Sequence, residues 1–190
     1  LSCNGPVAVG AEPAVALRFS VVIDAPQPLA AMLEQGLDIV RWQHDERMTL
    51  PLLRRLADEA RRTTEQALAA EGYFSARVTT TVETGTPVAT VRIHVAPGAR
   101  TVVNTVKLQF RGAVTSDSAG AGRIGNVRRN WLLAEGRPFR QENWDSAKRA
   151  ALNELARPPY AAARIADNAA LVDPQRNTAG LDLEFDSGPA

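Results

Sequence analysis

The chain repeats itself. A strand pattern at Leu17, Phe19, Val21 and Ile23 returns as Val106, Leu108 and Phe110, with Phe19, Val21 and Ile23 mapping by a shift of 87. The same shift carries Tyr73-Phe74-Ser75-Ala76-Arg77-Val78 onto Tyr160-Ala161-Ala162-Ala163-Arg164-Ile165. Past a turn the shift becomes 90, placing Val91, Ile93, Val95 and Gly98 on Leu181, Leu183, Phe185 and Gly188. Three extra residues are therefore expected in the second turn alone. Self-similarity at one long period means two copies of a supersecondary unit. It predicts a first domain over 16–98 and a second over 99–188, after a Gly-, Pro- and Ala-rich stretch over 1–15 that has no period and is expected to be a disordered lead-in.

Each copy reads β-α-α-β-β. Leu17 to Ile23 alternates apolar and polar, the pattern of a half-buried strand. Pro28 suits a first helical turn. Leu29, Met32, Leu33, Leu37 and Val40 then recur at helical spacing and predict one short helix. After a polar connection over 41–49, Leu53, Leu56, Ala57, Ala60, Thr64, Ala67 and Leu68 form the stripe of a longer helix, closed by Gly72. Residues 73–82 and Val91, Ile93 and Val95 make a hairpin through Gly85-Thr86-Pro87. In the second copy a Ser/Asp/Ala/Gly loop is expected up to Gly125. A short helix over 127–134, a longer one carrying Trp144, Ala147, Ala151, Leu152 and Leu155, and a hairpin over 160–172 and 178–185 follow.

Composition excludes several classes of function. With 45% hydrophobic residues the chain can build a core, and no run is long enough to span a bilayer as a helix. A net charge of +1 gives no general nucleic-acid or membrane field, so no nucleic-acid partner is expected. The 20 arginines against 2 lysines, beside 32 alanines, read as a codon signature and not as a phosphate-binding device. A single cysteine, Cys3, and two histidines leave no disulfide framework and little for a metal, so no cofactor or metal is expected. Leu1-Ser2-Cys3 shares a short likeness with the end of a lipoprotein signal, against a plain incidental thiol. The chain starts at Leu1 and ends in Ser187-Gly188-Pro189-Ala190, which reads as linker, so a piece of something longer is expected.

Gly120-Ala121-Gly122-Arg123-Ile124-Gly125 spells G-x-G-x-x-G with Asp145 about 20 residues on. No buried parallel strand leads directly into it, so a flexible loop before a helix is the expectation. His44-Asp45-Glu46 lacks a second histidine and reads as solvated, as do Asp58-Glu59, Asp182-Glu184 and the basic helix surface of Arg54, Arg55, Arg61 and Arg62. His94 belongs to the solvent face of its strand. Tyr73 and Tyr160 are expected in or near the core, and Trp131 and Trp144 on helix stripes. Trp42, at a helix exit, is the candidate partner contact.

The Gly72-Tyr73-Phe74-Ser75-Ala76 stretch and the Val106-Lys107-Leu108-Gln109-Phe110-Arg111-Gly112 stretch, in this repeated order, resemble the polypeptide-transport-associated (POTRA) domain of the Omp85 superfamily. Within it, the Pro97-Gly98 junction and the long connection between the first helices look most like TamA, the barrel subunit of the translocation and assembly module. The resemblance covers 16–188 and departs at Pro158-Pro159-Tyr160, where a distorted helix end is expected. It implies an α+β fold of two tandem POTRA domains, each a three-stranded mixed sheet covered on one face by two helices.

By the same resemblance the chain is the periplasmic arm of a Gram-negative outer-membrane protein, with no catalysis of its own. Its implied partners are a TamB-like inner-membrane-anchored protein, met by the first unit, unfolded outer-membrane or secreted clients, and a C-terminal β-barrel of its own. It places edge strands at Arg77, Val78, Thr79, Thr80 and Thr81, and at Arg164, Ile165, Ala166 and Asp167. An edge is a row of unpaired N–H and C=O groups that can template an incoming chain. Three alternatives stand beside this reading. A two-partner-secretion transporter would show a barrel strand after Ala190. A cell-division or sporulation protein would show a transmembrane helix before Leu1. A nucleotide-dependent enzyme would bind nucleotide through the glycine loop.

Overall fold

The structure, a computed structural model, describes residues 17–85 and 88–189. The lead-in with Cys3, Ala16, Thr86 and Pro87 of the Gly85-Thr86-Pro87 turn, and Ala190 lie outside the described residues. The first unit runs β1 (Arg18–Asp24), α1 (Leu29–Gly36), α2 (Asp38–Arg41), a 3-10 turn (Trp42–His44), α3 (Leu50–Ala70), β2 (Arg77–Glu83) and β3 (Val88–Ala96). The second runs β4 (Val102–Arg111), a 3-10 turn (Ala113–Thr115), α4 (Ser118–Arg129), α5 (Gln141–Leu155), β5 (Arg164–Asp173) and β6 (Thr178–Asp186). Among the described residues no helix is long and apolar enough to cross a membrane.

Each unit has one three-stranded mixed sheet, ordered β1-β3-β2 and β4-β6-β5. The central strand pairs in parallel with the first strand and antiparallel with its hairpin partner. Alternation along it decides which face is covered: Ala89, Val91, Ile93 and Val95 are buried while Arg92 and His94 are exposed. Leu33, Leu53 and Leu68 close over Phe19 and the rest of the first sheet, and Trp144, Leu155 and Tyr160 over the second. This is the two-layer solution for a sheet with one apolar face. The architecture is α+β, two units in tandem, each a three-stranded mixed sheet covered on one face by helices, as expected.

Several sequence expectations shift. The stripe from Leu29 to Val40 is not one helix: Leu37 is extended, at φ −84° and ψ 122°, and separates α1 from α2. Gly36 costs helix stability, and the break brings Leu37 and Ile39 into the core while Val40 stays half-buried. The glycine-rich stretch expected as a loop lies inside α4, which the Asp117 carboxylate caps by accepting from Ala119 N–H. Gly120 makes that helix possible, because any Cβ there would strike the Val114 main chain. The helix expected over 127–134 ends at Arg129, so Trp131 sits in the following loop, half-buried, edge-on to Trp144 at 6.1 Å.

The repeat register also changes. Phe19 lies opposite Ala89 and Val103 opposite Ala179, a shift of 84; beyond a bulge, Val21 opposite Val91 matches Val106 opposite Leu181, a shift of 85. A period-2 pattern slides by two without changing face, so alternation alone could not separate 85 from 87. Not all three extra hairpin residues entered the turn. Ala166 forms a bulge between Ile165 and Asp167, so Asn168 faces Leu183 as Thr80 faces Ile93. At Pro158-Pro159 the expected distortion is real, with α5 stopping at Leu155 where a shift of 87 from Ala70 points to 157.

Ser187-Gly188 is no linker. Ser187 is fully buried, its N–H donates to Arg111 O, and its hydroxyl accepts from Val114 N–H. Just before it, Asp186 accepts from Gly188 N–H and pairs with Arg164 at 2.6 Å. These contacts, the Gly188 amide first and then the arginines, hold the Asp186 carboxyl below its ordinary range. The Ala119 amide, and then the Tyr160 hydroxyl at 3.0 Å, do the same for Asp117.

Two predictions follow from this packing. Gly120→Ala forces α4 off the Val114 turn and should cost about 1–3 kcal/mol by denaturant unfolding. Gly122→Ala, with open space around it, should be neutral or stabilising by up to about 1 kcal/mol. Asp117 and Asp186 have depressed folded pKa values, so their stabilisation is complete above the unfolded value, near 3.9, and lost as pH falls through the folded one. Thermal melts below about pH 4 should therefore fall more steeply for the parent than for the Asp117→Asn, Asp186→Asn double variant.

Candidate functional site

The sheet order leaves β2 and β5 at edges, so all the residues expected there are so placed: Arg77, Val78, Thr79, Thr80 and Thr81 on β2, and Arg164, Ile165, Asp167 and the bulged Ala166 on β5. The two edges differ. β2 keeps an unbroken register along β3, with Thr79 and Thr81 exposed. β5 is interrupted at Ala166, and Arg164 is tied to Asp186. A bulge on an edge strand twists it and disrupts continued pairing. Beyond the bulge β5 runs regularly to Asp173 and exposes Leu171, at 71% the most exposed large hydrophobic residue among the described residues. No period signals that residue in the sequence.

The opposite edges carry covers of their own. On β1, Val21 N–H donates to Gln43 Oε1 at 2.9 Å, and just before the strand Leu17 N–H donates to Met48 O at 3.1 Å. The connection over 41–49 is therefore an edge cover as well as a link. Trp42, 42% exposed, opens its 3-10 turn. His44 is exposed, and the Asp45 carboxylate accepts from Arg47 N–H within its own turn. His94 sits on the solvent face with its Nδ1 2.7 Å from Asp24 Oδ2. Among the described residues no three His, Cys, Asp or Glu side chains gather where they would hold a metal.

The units meet at the end of α3, where the sequence shows a helix stop and the start of a hairpin but no sign of a contact between units. Gly72, at φ +92°, closes the helix: its own N–H donates to Ala69 O and Tyr73 N–H to Leu68 O. The same corner grips the second unit. Gly72 O accepts from Thr101 N–H at 2.8 Å, and a Cβ at Gly72 would collide with the Phe139 carbonyl. Glu71 O accepts from Arg100 Nε at 2.9 Å, and the Glu71 carboxylate from Arg140 Nη2 at 2.7 Å. Tyr73 packs on the first core, under the Arg100 guanidinium. Phe74, its neighbour, packs on the second, 5.7 Å from Phe139. Ser75 Oγ donates to Asn177 Oδ1 at 2.9 Å.

Residues 25–97, most of the first unit, match the family model described as POTRA domain, TamA domain 1. No curated protein matches the chain. Among solved structures, the chain is similar to POTRA1-2 of the periplasmic domain of Omp85 from Anabaena, at 16% identity and TM-score 0.47, covering 94% of this chain and 98% of that one. It is also similar to POTRA3-5 of BamA from Haemophilus influenzae, at 14% identity and TM-score 0.46, covering 97% and 70%. CdiB from Escherichia coli follows at 12% identity and TM-score 0.34, covering 95% and 29%.

At the corner, Glu71→Ala removes the carboxylate shared by Arg100 and Arg140 and should cost about 1–3 kcal/mol by denaturant unfolding. Gly72→Ala should cost clearly more than Gly136→Ala. Both glycines have positive φ, but nothing lies within 4 Å of a Cβ at Gly136, so only backbone strain of about 1–2 kcal/mol applies there.

Proposed function

We propose, on the premise that the first unit is a POTRA domain of the TamA type, that the chain is the periplasmic arm of an outer-membrane assembly or transport protein. Its two domains, 16–98 and 99–188, bind polypeptides and hand them toward a C-terminal β-barrel. It performs no catalysis. The observation that carries this reading is the unbroken edge of β2 on a unit that matches that family. Main-chain bonding along an edge supplies affinity that is almost blind to sequence, which suits many unfolded outer-membrane or secreted clients.

Of the two edges, β2 is the better template, with Thr79, Thr80 and Thr81 at its centre. β5 contributes through Asn168 to Asp173, past the bulge at Ala166, more than through Arg164, Ile165 and Asp167. Trp42, exposed on the same unit, is the contact proposed for a TamB-like inner-membrane-anchored partner. The match to TamA domain 1 favours this reading over a two-partner-secretion transporter or a cell-division protein. The helical conformation of the glycine-rich stretch within α4 removes the loop that a nucleotide would need.

The test is a pair of prolines. Amides of neighbouring residues on an edge strand point alternately to the paired strand and away from it, so one of Thr79 and Thr80 directs its N–H outward. Proline at the outward position should lower photo-crosslinking to a urea-denatured outer-membrane barrel polypeptide about tenfold, with the circular dichroism unchanged. Proline at the inward position should disturb the sheet itself. Undiminished crosslinking in a folded variant removes β2 as the client edge.

A further inference from the structure

The connection from α4 to α5 is anchored on the second sheet close to where the units join. Phe139 N–H donates to Thr101 O at 2.9 Å, Val103 N–H to Arg137 O at 2.9 Å and Gly136 N–H to Val103 O at 2.8 Å, so residues 136–139 lie along the start of β4. Arg137 N–H in turn donates to Ala134 O. Both main-chain groups of Arg137 are thus engaged, while the residue stays exposed. Arg137, Arg140 and Arg100 border one cavity of about 390 Å³, beside Asn143 and Ser146 on the first turns of α5. Composition sets how many arginines the chain has, not that three of them share one hollow.

Positive charge there is only partly compensated. Arg100 and Arg140 both turn to the Glu71 carboxylate, and Glu142 Oε2 lies 3.8 Å from Arg140 Nη2. Among the described residues Arg137 forms no ion pair, and no carboxylate borders the cavity. Donors are left over as well. Arg100 spends Nε and Nη2 on Glu71, and Arg140 spends Nη2. Arg140 Nε is buried and has no acceptor among the described residues. Ser146 Oγ accepts from Arg149 Nη2 at 3.1 Å, which leaves its own hydrogen to donate. At Arg140 α5 opens without a side-chain cap, so its dipole adds positive potential at this end.

These features select a ligand. A carboxylate is flat and offers two oxygens. Here guanidinium groups converge from the unit junction, the connection and the helix start, with an amide and a hydroxyl beside them. A phosphoryl group, with three terminal oxygens in tetrahedral directions, matches donors that come from several sides. Leu132, 57% exposed, and Pro138 give the cavity an apolar border. Its volume holds a phosphoryl group together with a ring or short chain.

We propose that this cavity binds a phosphomonoester. Arg137 and the remaining nitrogens of Arg100 and Arg140 hold the phosphoryl oxygens, Asn143 and Ser146 donate beside them, and Leu132 covers the apolar group that the phosphate carries. The ester is either a soluble metabolite or the headgroup of a lipid. The site lies apart from β2 and β5 and does not depend on their binding clients.

The experiment is calorimetric titration of the 190-residue chain with phenyl phosphate in about 0.1 M salt. Binding should saturate with a Kd of about 1 mM or tighter, and benzoate should bind about tenfold more weakly. Arg137→Ala, at an exposed position, should weaken phenyl phosphate about tenfold with the melting temperature unchanged. Arg54→Ala, on the exposed surface of α3, should leave binding as it is. Leu132→Ser should bring phenyl phosphate down to the affinity of inorganic phosphate, and unchanged affinity in that variant overturns the ester. Flotation with vesicles of phosphatidylcholine alone, and with equimolar phosphatidic acid, separates the two sources. Flotation that needs phosphatidic acid and is lost in Arg137→Ala assigns the phosphate to a lipid. Saturation by phenyl phosphate without flotation assigns it to a soluble ester. Neither saturation nor flotation overturns the proposal. So does binding that Arg137→Ala leaves unchanged, that Arg54→Ala weakens equally, or that benzoate matches.

Discussion

The corner at Glu71-Gly72 is the constraint on which the rest of the structure depends. A helix of 21 residues must end with its last carbonyls satisfied, and α3 does so through the Gly72 and Tyr73 amides. The turn that closes the helix also aims Tyr73 into the first core and Phe74 into the second. Because Gly72 has no Cβ, the Phe139 main chain can lie directly on it. Arg100 and Arg140 then converge on the one carboxylate at the helix end, where positive charge is also favoured by the helix dipole. A single short segment thus completes one unit and founds the next.

Given two sheets of three strands, four edges must be managed, and each is managed differently. β1 is covered by Gln43 and Met48. β4 is covered by residues 136–139 over its first half and by the Glu135 and Arg128 side chains over its second. β5 is bulged, and β2 runs unbroken, with β3 the strand paired to it among the described residues. Backbone groups left in this state bind water or another chain, and a protein that handles extended polypeptides needs some of them left so. The uneven treatment separates edges blunted by the chain's own segments from edges that stay accessible.

Much of this was legible in the residues. The alternation at Phe19, Val21 and Ile23, the stripe from Leu53 to Leu68 and the glycine after it each specify an element by local chemistry. The edge placement of Thr79 to Thr81 came through resemblance, since no local pattern distinguishes an edge strand from a central one. Two misreadings have a common cause. Gly120, Gly122 and Gly125 carry poor helix propensity, yet the Asp117 cap and the close approach to Val114 override it. Gly36 lies off its helix stripe, yet it breaks the helix because Leu37 and Ile39 both find places in the core.

By itself the sequence determined the number of units, the order of their strands and long helices and the face each of these buries, because periods of 2 and 3.6 are properties of a local backbone. It also left no material for an internal disulfide or a cysteine-based metal cage, with one cysteine. Only the tertiary structure decided the β1 and β4 register, the bulge at Ala166 and the joining of the units through Phe74 and Glu71. It alone brought Arg100, Arg137 and Arg140 to one cavity. A slip of two residues preserves alternation, and a contact between units follows no period, so neither leaves a trace in the order of residues.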